Sequence, residues 1–120
     1  MPFDQERTTH GFRATATGGV QRVVANARKD AHQVMLIREH LRRETGRFAA
    51  GDFADPMAIH GMKMPGITAL RQGYWRVKVT YSKMAGGAKI SYTTADASLV
   101  AALHEWFDAQ LADHGAHAHG

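Results

Sequence analysis

Twice in this chain an alternating stretch, a glycine-bearing turn and a second alternating stretch run into a capped amphipathic segment. That doubled pattern limits the fold more than any single residue does. In the first copy, "FRATAT" (residues 12–17) sets Phe12, Ala14 and Ala16 against Arg13, Thr15 and Thr17 with period two. Gly18 and Gly19 then precede "VQRVVA", and paired glycines accept the positive φ angles of a tight turn, which predicts strand, two-residue turn, strand. Asp30 is placed to cap a helix reaching about Phe48, with Val34, Ile37, Leu41 and Phe48 on one stripe.

The second copy begins at "YWRVKVTYS" (74–82), where Trp75, Val77, Val79 and Tyr81 alternate with Arg76, Lys78, Thr80 and Ser82 as a half-buried antiparallel strand would. "KMAGGA" turns the chain, and "KISYTT" returns with Ile90 and Tyr92 inward. Asp96 caps a second helix whose stripe is Val100, Leu103, Phe107 and Leu111, and Gly115 suits its end. A β-β-α unit cannot bury its sheet face alone. Two of them, residues 11–48 and 74–114, are therefore expected to join as one α+β domain over residues 1–114: a four-stranded antiparallel sheet with two helices packed on one face. The connection 49–73 is long for a compact domain, which points to binding or bracing, with a helical turn at 67–71. The tail 115–120 is expected to be disordered.

With 120 residues the chain can bury one core without staples. The absence of cysteine removes disulfides, thiolate zinc sites and cysteine nucleophiles, leaving His, Met, Asp and Glu as metal ligands. No run nears the ~20 apolar residues of a membrane span. The first dozen residues lack the apolar core of a secretory signal, so the expected compartment is the cytoplasm, or the periplasm if this is a trimmed form.

The segment "AIHGMKMPG" (58–66) carries the most suggestive chemistry. Alternate residues of an extended segment point the same way, so His60, Met62 and Met64 would present one imidazole and two thioethers together, and that donor set matches the softness of Cu(I). His104, on the apolar face of the second helix, and His40, at the margin of the first, are the candidates to complete the site. Packing of the methionines under the loop is the competing reading, and haem with His/Met ligation ranks below copper. Met57 adds a further sulfur nearby, and His114, His117 and His119 crowd the terminus, where an unframed histidine tract binds metals weakly. For His104 the alternative role is structural, since a buried imidazole needs a hydrogen-bond partner.

Catalysis is not legible. Glu44, Asp52, Asp55, Glu105 and Asp108 select no acid-base pair, and the nucleophile-elbow, phosphate-loop, dinucleotide and His-Glu-x-x-His motifs are absent. The net charge is +4, and Arg38, Arg42, Arg43 and Arg47 gather on one helix with i, i+4 spacing. That basic helix face could track phosphates or a small ligand. Aromatics that would stack bases are not evident, because the alternation turns Trp75, Tyr81 and Tyr92 inward. The expectation is thus a small non-catalytic binding domain with copper as its ligand, then a structural domain whose other sheet face pairs with a twin chain as a homodimer, and last a binder of nucleic acid or small ligands.

At "HLRRETGRFAAGDFADPMAIHGMKMPG" and "YTTADASLVAALHEWFDAQLADHG" the chain resembles a group of small bacterial proteins, many of which carry the name aspartate carbamoyltransferase. The resemblance covers most of residues 20–116 and implies no mechanism. Carbamoyltransferases are longer two-domain enzymes with a Ser-Thr-Arg-Thr phosphate loop, and this sequence contains no such tetrapeptide.

Overall fold

The computed structural model describes residues 7–27, 29–53, 66–114 and 118–119. Strands β1 (Thr8–Thr15) and β2 (Gly18–Ala25) form the first hairpin, followed by helix α1 (Ala31–Ala49). A short helix α2 (Ile67–Gly73) and a 3-10 turn (Tyr74–Arg76) lead into β3 (Lys78–Met84), β4 (Gly87–Thr93) and helix α3 (Ala97–His114). The strand order is β3-β4-β2-β1, antiparallel throughout, so the two hairpins join along β2 and β4. The four-stranded α+β arrangement is the one the doubled pattern implies.

Both helices lie on the same face. The Tyr92 ring of β4 meets Phe48 of α1 at 5.2 Å and Phe107 of α3 at 5.5 Å, so one inward side chain touches both. Burial follows the alternation, with Phe12, Val23, Ala88, Ile90 and Tyr92 from the strands enclosed by Ile37, Leu41, Phe48, Leu103, Trp106 and Phe107. Interdigitated rings anchor this core, where offset and edge-on contacts add to the area they bury. The buried hydroxyl of Tyr92 donates to Gln21 Oε1 at 3.2 Å, which satisfies both polar groups. Burial first, and then the charge of Glu44, push the Tyr92 phenol well above its ordinary value.

Four details depart from the sequence expectation, each for a local reason. The first turn is Ala16–Thr17, and Gly18 and Gly19 are the opening residues of β2. A side chain at Gly19 would be driven into the Phe107 ring, so this glycine serves close approach of α3 and leaves the turn to its neighbours. Trp75 does not face inward but is 64% exposed, because residues 74–76 close a 3-10 turn and the strand begins only at Lys78. The buried stripe of α3 is Leu99, Ala102, Leu103, Trp106 and Phe107, rotated slightly from the predicted one. In the tail expected to lack structure, Ala118–His119 pairs in parallel with β1 as a two-residue β5.

Candidate binding cleft

Arg38 and His104 occupy matching places. Asp30 caps α1 by accepting from Gln33 N, and Asp96 caps α3 by accepting from Ser98 N at 2.9 Å and Leu99 N at 3.4 Å. Eight residues past its cap, each helix aims a nitrogen donor at a hairpin turn. Arg38 donates from Nε to Gly87 O at 3.0 Å and from Nη2 to Met84 O at 3.1 Å. His104 Nε2 stands 2.9 Å from Thr15 O and 2.9 Å from Gly18 O. Both of its partners are acceptors, so the ring proton must sit on Nε2.

The expected metal ligands can now be placed. His104 is half-buried and committed to the β1–β2 turn through the nitrogen that faces the protein. His40 is paired with Glu44 on its own helix, Nε2 to Oε1 at 2.8 Å. Neither is brought to the other, and among the described residues no group of three or more His, Asp or Glu could hold a metal ion. His60, Met62 and Met64 lie outside the described residues, as do Met57 and His117. Copper thus rests on the sequence of that segment alone. His10, placed at the start of the first strand by its sequence, is 1% exposed and pairs across from Val23 on the inner face.

The cavity that stands out is on the other side of Arg38. A cleft of about 490 Å3 lies between α1 and the β3–β4 hairpin. Its helix wall carries Met35, Arg38, Glu39 and Arg42, and its hairpin wall carries Tyr81 and Lys83. The basic stripe read from the sequence therefore divides: Arg38 is occupied by carbonyls, whereas Arg42 and Lys83 stand exposed beside the opening. Met35, at 48% exposure, supplies an apolar patch between them. The Tyr81 hydroxyl is shut off from solvent with no hydrogen-bond partner among the described residues. Such a group costs about 1–3 kcal/mol until something bonds to it.

Sequence reasoning named Tyr81 as an inward strand residue and Lys83 as part of a turn, and missed that they face the arginine helix. The signal was register: Tyr81 is opposite Ile90 and Lys83 opposite Ala88, both inner-face positions, while α1 packs more over β4 and β3 than over its own hairpin. No family model, curated protein or solved structure matches the chain.

Proposed function

We propose that the protein is a non-catalytic binding module whose ligand seat is the cleft between α1 and the β3–β4 hairpin. Its ligand is a small anion with an apolar portion. The observation that carries this reading is the Tyr81 hydroxyl, enclosed without a partner among the described residues on a wall shared with two exposed cations and the exposed Met35. An anionic oxygen between Arg42 and Lys83 would draw the Tyr81 hydroxyl, enclosed in the free protein, out to donate to it, and the apolar part would lie on Met35. The walls hold three cations against the single carboxylate of Glu39, a balance that favours negative charge. No base stands near a nucleophile there: the His40–Glu44 pair does not line this cleft.

Amide chemical shifts of α1, β3 and β4 followed during titration with alkyl phosphates and aromatic carboxylates test the reading. Shifts should cluster at the cleft, and Tyr81→Phe should weaken binding about tenfold by removing one hydrogen bond to a charged acceptor. Lys83→Glu should remove it. Absence of any shift at millimolar ligand would overturn the cleft, and stoichiometric Cu(I) uptake abolished by Met62→Ala with Met64→Ala would move the binding site to the loop.

A further inference from the structure

The face of the sheet turned away from the helices carries a second, independent observation. Strands β1 to β4 contain no aspartate or glutamate, and each presents one cation outward: Arg13, Arg22, Lys89 and Lys78. Pairing fixes their places. Arg22 stands directly opposite Lys89 across β2 and β4; Arg13 and Lys78 follow on the outer strands, opposite Val20 and Thr93. The four cations are spread over the face: Arg13 lies two residues and Lys78 four residues along the strands from the level of the Arg22–Lys89 pair, so the set spans about 14 Å across the strands and about 13 Å along them. Thr80, Ser82, Ser91 and Thr93 fill the positions between with hydroxyls. Among the described residues no helix packs on this face, and Arg13, Arg22 and Lys78 are exposed.

Like charges directly opposite on neighbouring strands destabilise a sheet, and none of the four strands supplies a carboxylate to relieve the pair. A twin chain does not relieve it either, because a two-fold contact sets the same cations against themselves. A phosphate backbone does: it supplies a flexible line of negative charge that can follow cations spread over a surface, and neutral hydroxyls suit its oxygens. Trp75, exposed in the turn three residues before Lys78 with its ring edge-on to Tyr74, offers an indole beside that end of β3 on which a base can stack. A membrane surface fits less well, since the apolar residues of these strands on this face, Val20, Val24 and Met84, are half-buried and give little to insert. We infer that the outer sheet face binds single-stranded nucleic acid, with Arg13, Arg22, Lys89 and Lys78 on phosphates and Trp75 against a base.

Fluorescence anisotropy of a labelled oligonucleotide of about 20 nucleotides, titrated with the full chain, is the test. Four phosphate contacts to a single strand predict a log–log salt slope of about −2.8, hence about a fifty-fold loss of affinity between 50 and 200 mM salt. Arg22→Glu should weaken binding at least tenfold while raising the melting temperature by a few degrees, because it creates an opposite-charge pair with Lys89. That opposed pair of effects would not arise from misfolding. Lys78→Ala should lower the slope by about 0.7, and Trp75→Ala should weaken binding without changing it. Lys83→Glu, in the cleft on the other face, should leave oligonucleotide binding intact, which separates this inference from the small-ligand seat. The inference fails if binding is absent at 50 mM salt, if Arg22→Glu binds as well as the native chain, if a duplex of equal length binds more tightly, or if phosphatidylserine vesicles bind where the oligonucleotide does not.

Discussion

The two β-β-α units share a plan and exchange their helices. Helix α1 leaves the first hairpin and packs over β4 and β3, while α3 leaves the second and packs over β1 and β2. The exchange extends to the clamps, since Arg38 holds the carbonyls flanking the Ala85–Gly86 turn and His104 those flanking Ala16–Thr17. Thr15 with Gly18, and Met84 with Gly87, are equivalent hairpin positions, each the last residue before and the first after a two-residue turn. Neither unit is complete without the other, because each turn's acceptors are satisfied from across the sheet. The difference between the clamps bears on function. A guanidinium forks and remains cationic, so Arg38 adds charge to the wall of an open cleft, whereas the His104 ring gives a single N–H to two carbonyls.

The largest effects should come from the matched core positions of the exchanged helices. Leu41 and Phe107 stand eleven residues beyond their caps and are both buried. Leu41→Ala should cost roughly 2–5 kcal/mol and Phe107→Ala roughly 3–5 kcal/mol. Chemical denaturation of both variants checks this, and the exchange makes a specific demand. Phe107→Ala should loosen the amides of β1 and β2, whose Phe12 ring it meets at 5.4 Å, more than those of β3, over which α1 packs instead. Equal loss of hydrogen-exchange protection over both hairpins would break the comparison.

Next in size is the clamp itself. His104→Ala leaves the Thr15 and Gly18 carbonyls without their donor and should cost about 1–3 kcal/mol. Arg38→Ala should cost less, because its turn lies beside an open cleft where water can replace the guanidinium. His104→Gln, which keeps an N–H on a side chain of similar reach, should restore part of the stability. If His104 instead served a metal, its loss would abolish Cu(I) uptake while leaving the melting temperature nearly unchanged.

Periodicity and caps made the elements legible, because a period of two and a stripe at 3.6 are local properties of Phe12, Val23, Ile37, Leu41, Ile90 and Leu103. The pairing of hairpins was legible for the same reason: neither copy had a second layer of its own. Partner exchange was not, since nothing in "LIREH" or "AALHE" tells which hairpin a nitrogen will reach. The glycines misled because Gly18-Gly19 fits a tight turn as well as it fits room for a ring, and only the placement of Phe107 separates the two. Trp75 misled because its alternation with Val77 and Val79 extends into a turn fixed by Val77 N donating to Tyr74 O at 3.0 Å. The cleft depends on both the exchange and the register, so its residues could be named in sequence but not assembled.

The smallest expected difference lies at the caps. Asp30 holds one backbone N–H at 3.4 Å, with Arg7 3.5 Å away. Asp96 accepts from the Ser98 hydroxyl and backbone, from Leu99 N and from Arg76 Nη1 at 3.0 Å. The Ser98 hydroxyl first, then Arg76 and the backbone donors, hold the Asp96 carboxyl below its ordinary value. A carboxyl depressed in the folded state contributes stability that is fully present above its unfolded value, about 3.9, and is lost as pH falls through the folded one. Asp96→Ala should therefore lower the melting temperature at neutral pH and flatten its fall below about pH 4, and Asp30→Ala should lower the neutral melting temperature less. Melting curves of the two variants between neutral and acid pH give the answer directly: parallel loss in both would mean that the first helix is capped as firmly as the second and that the asymmetry between the units ends at their turns.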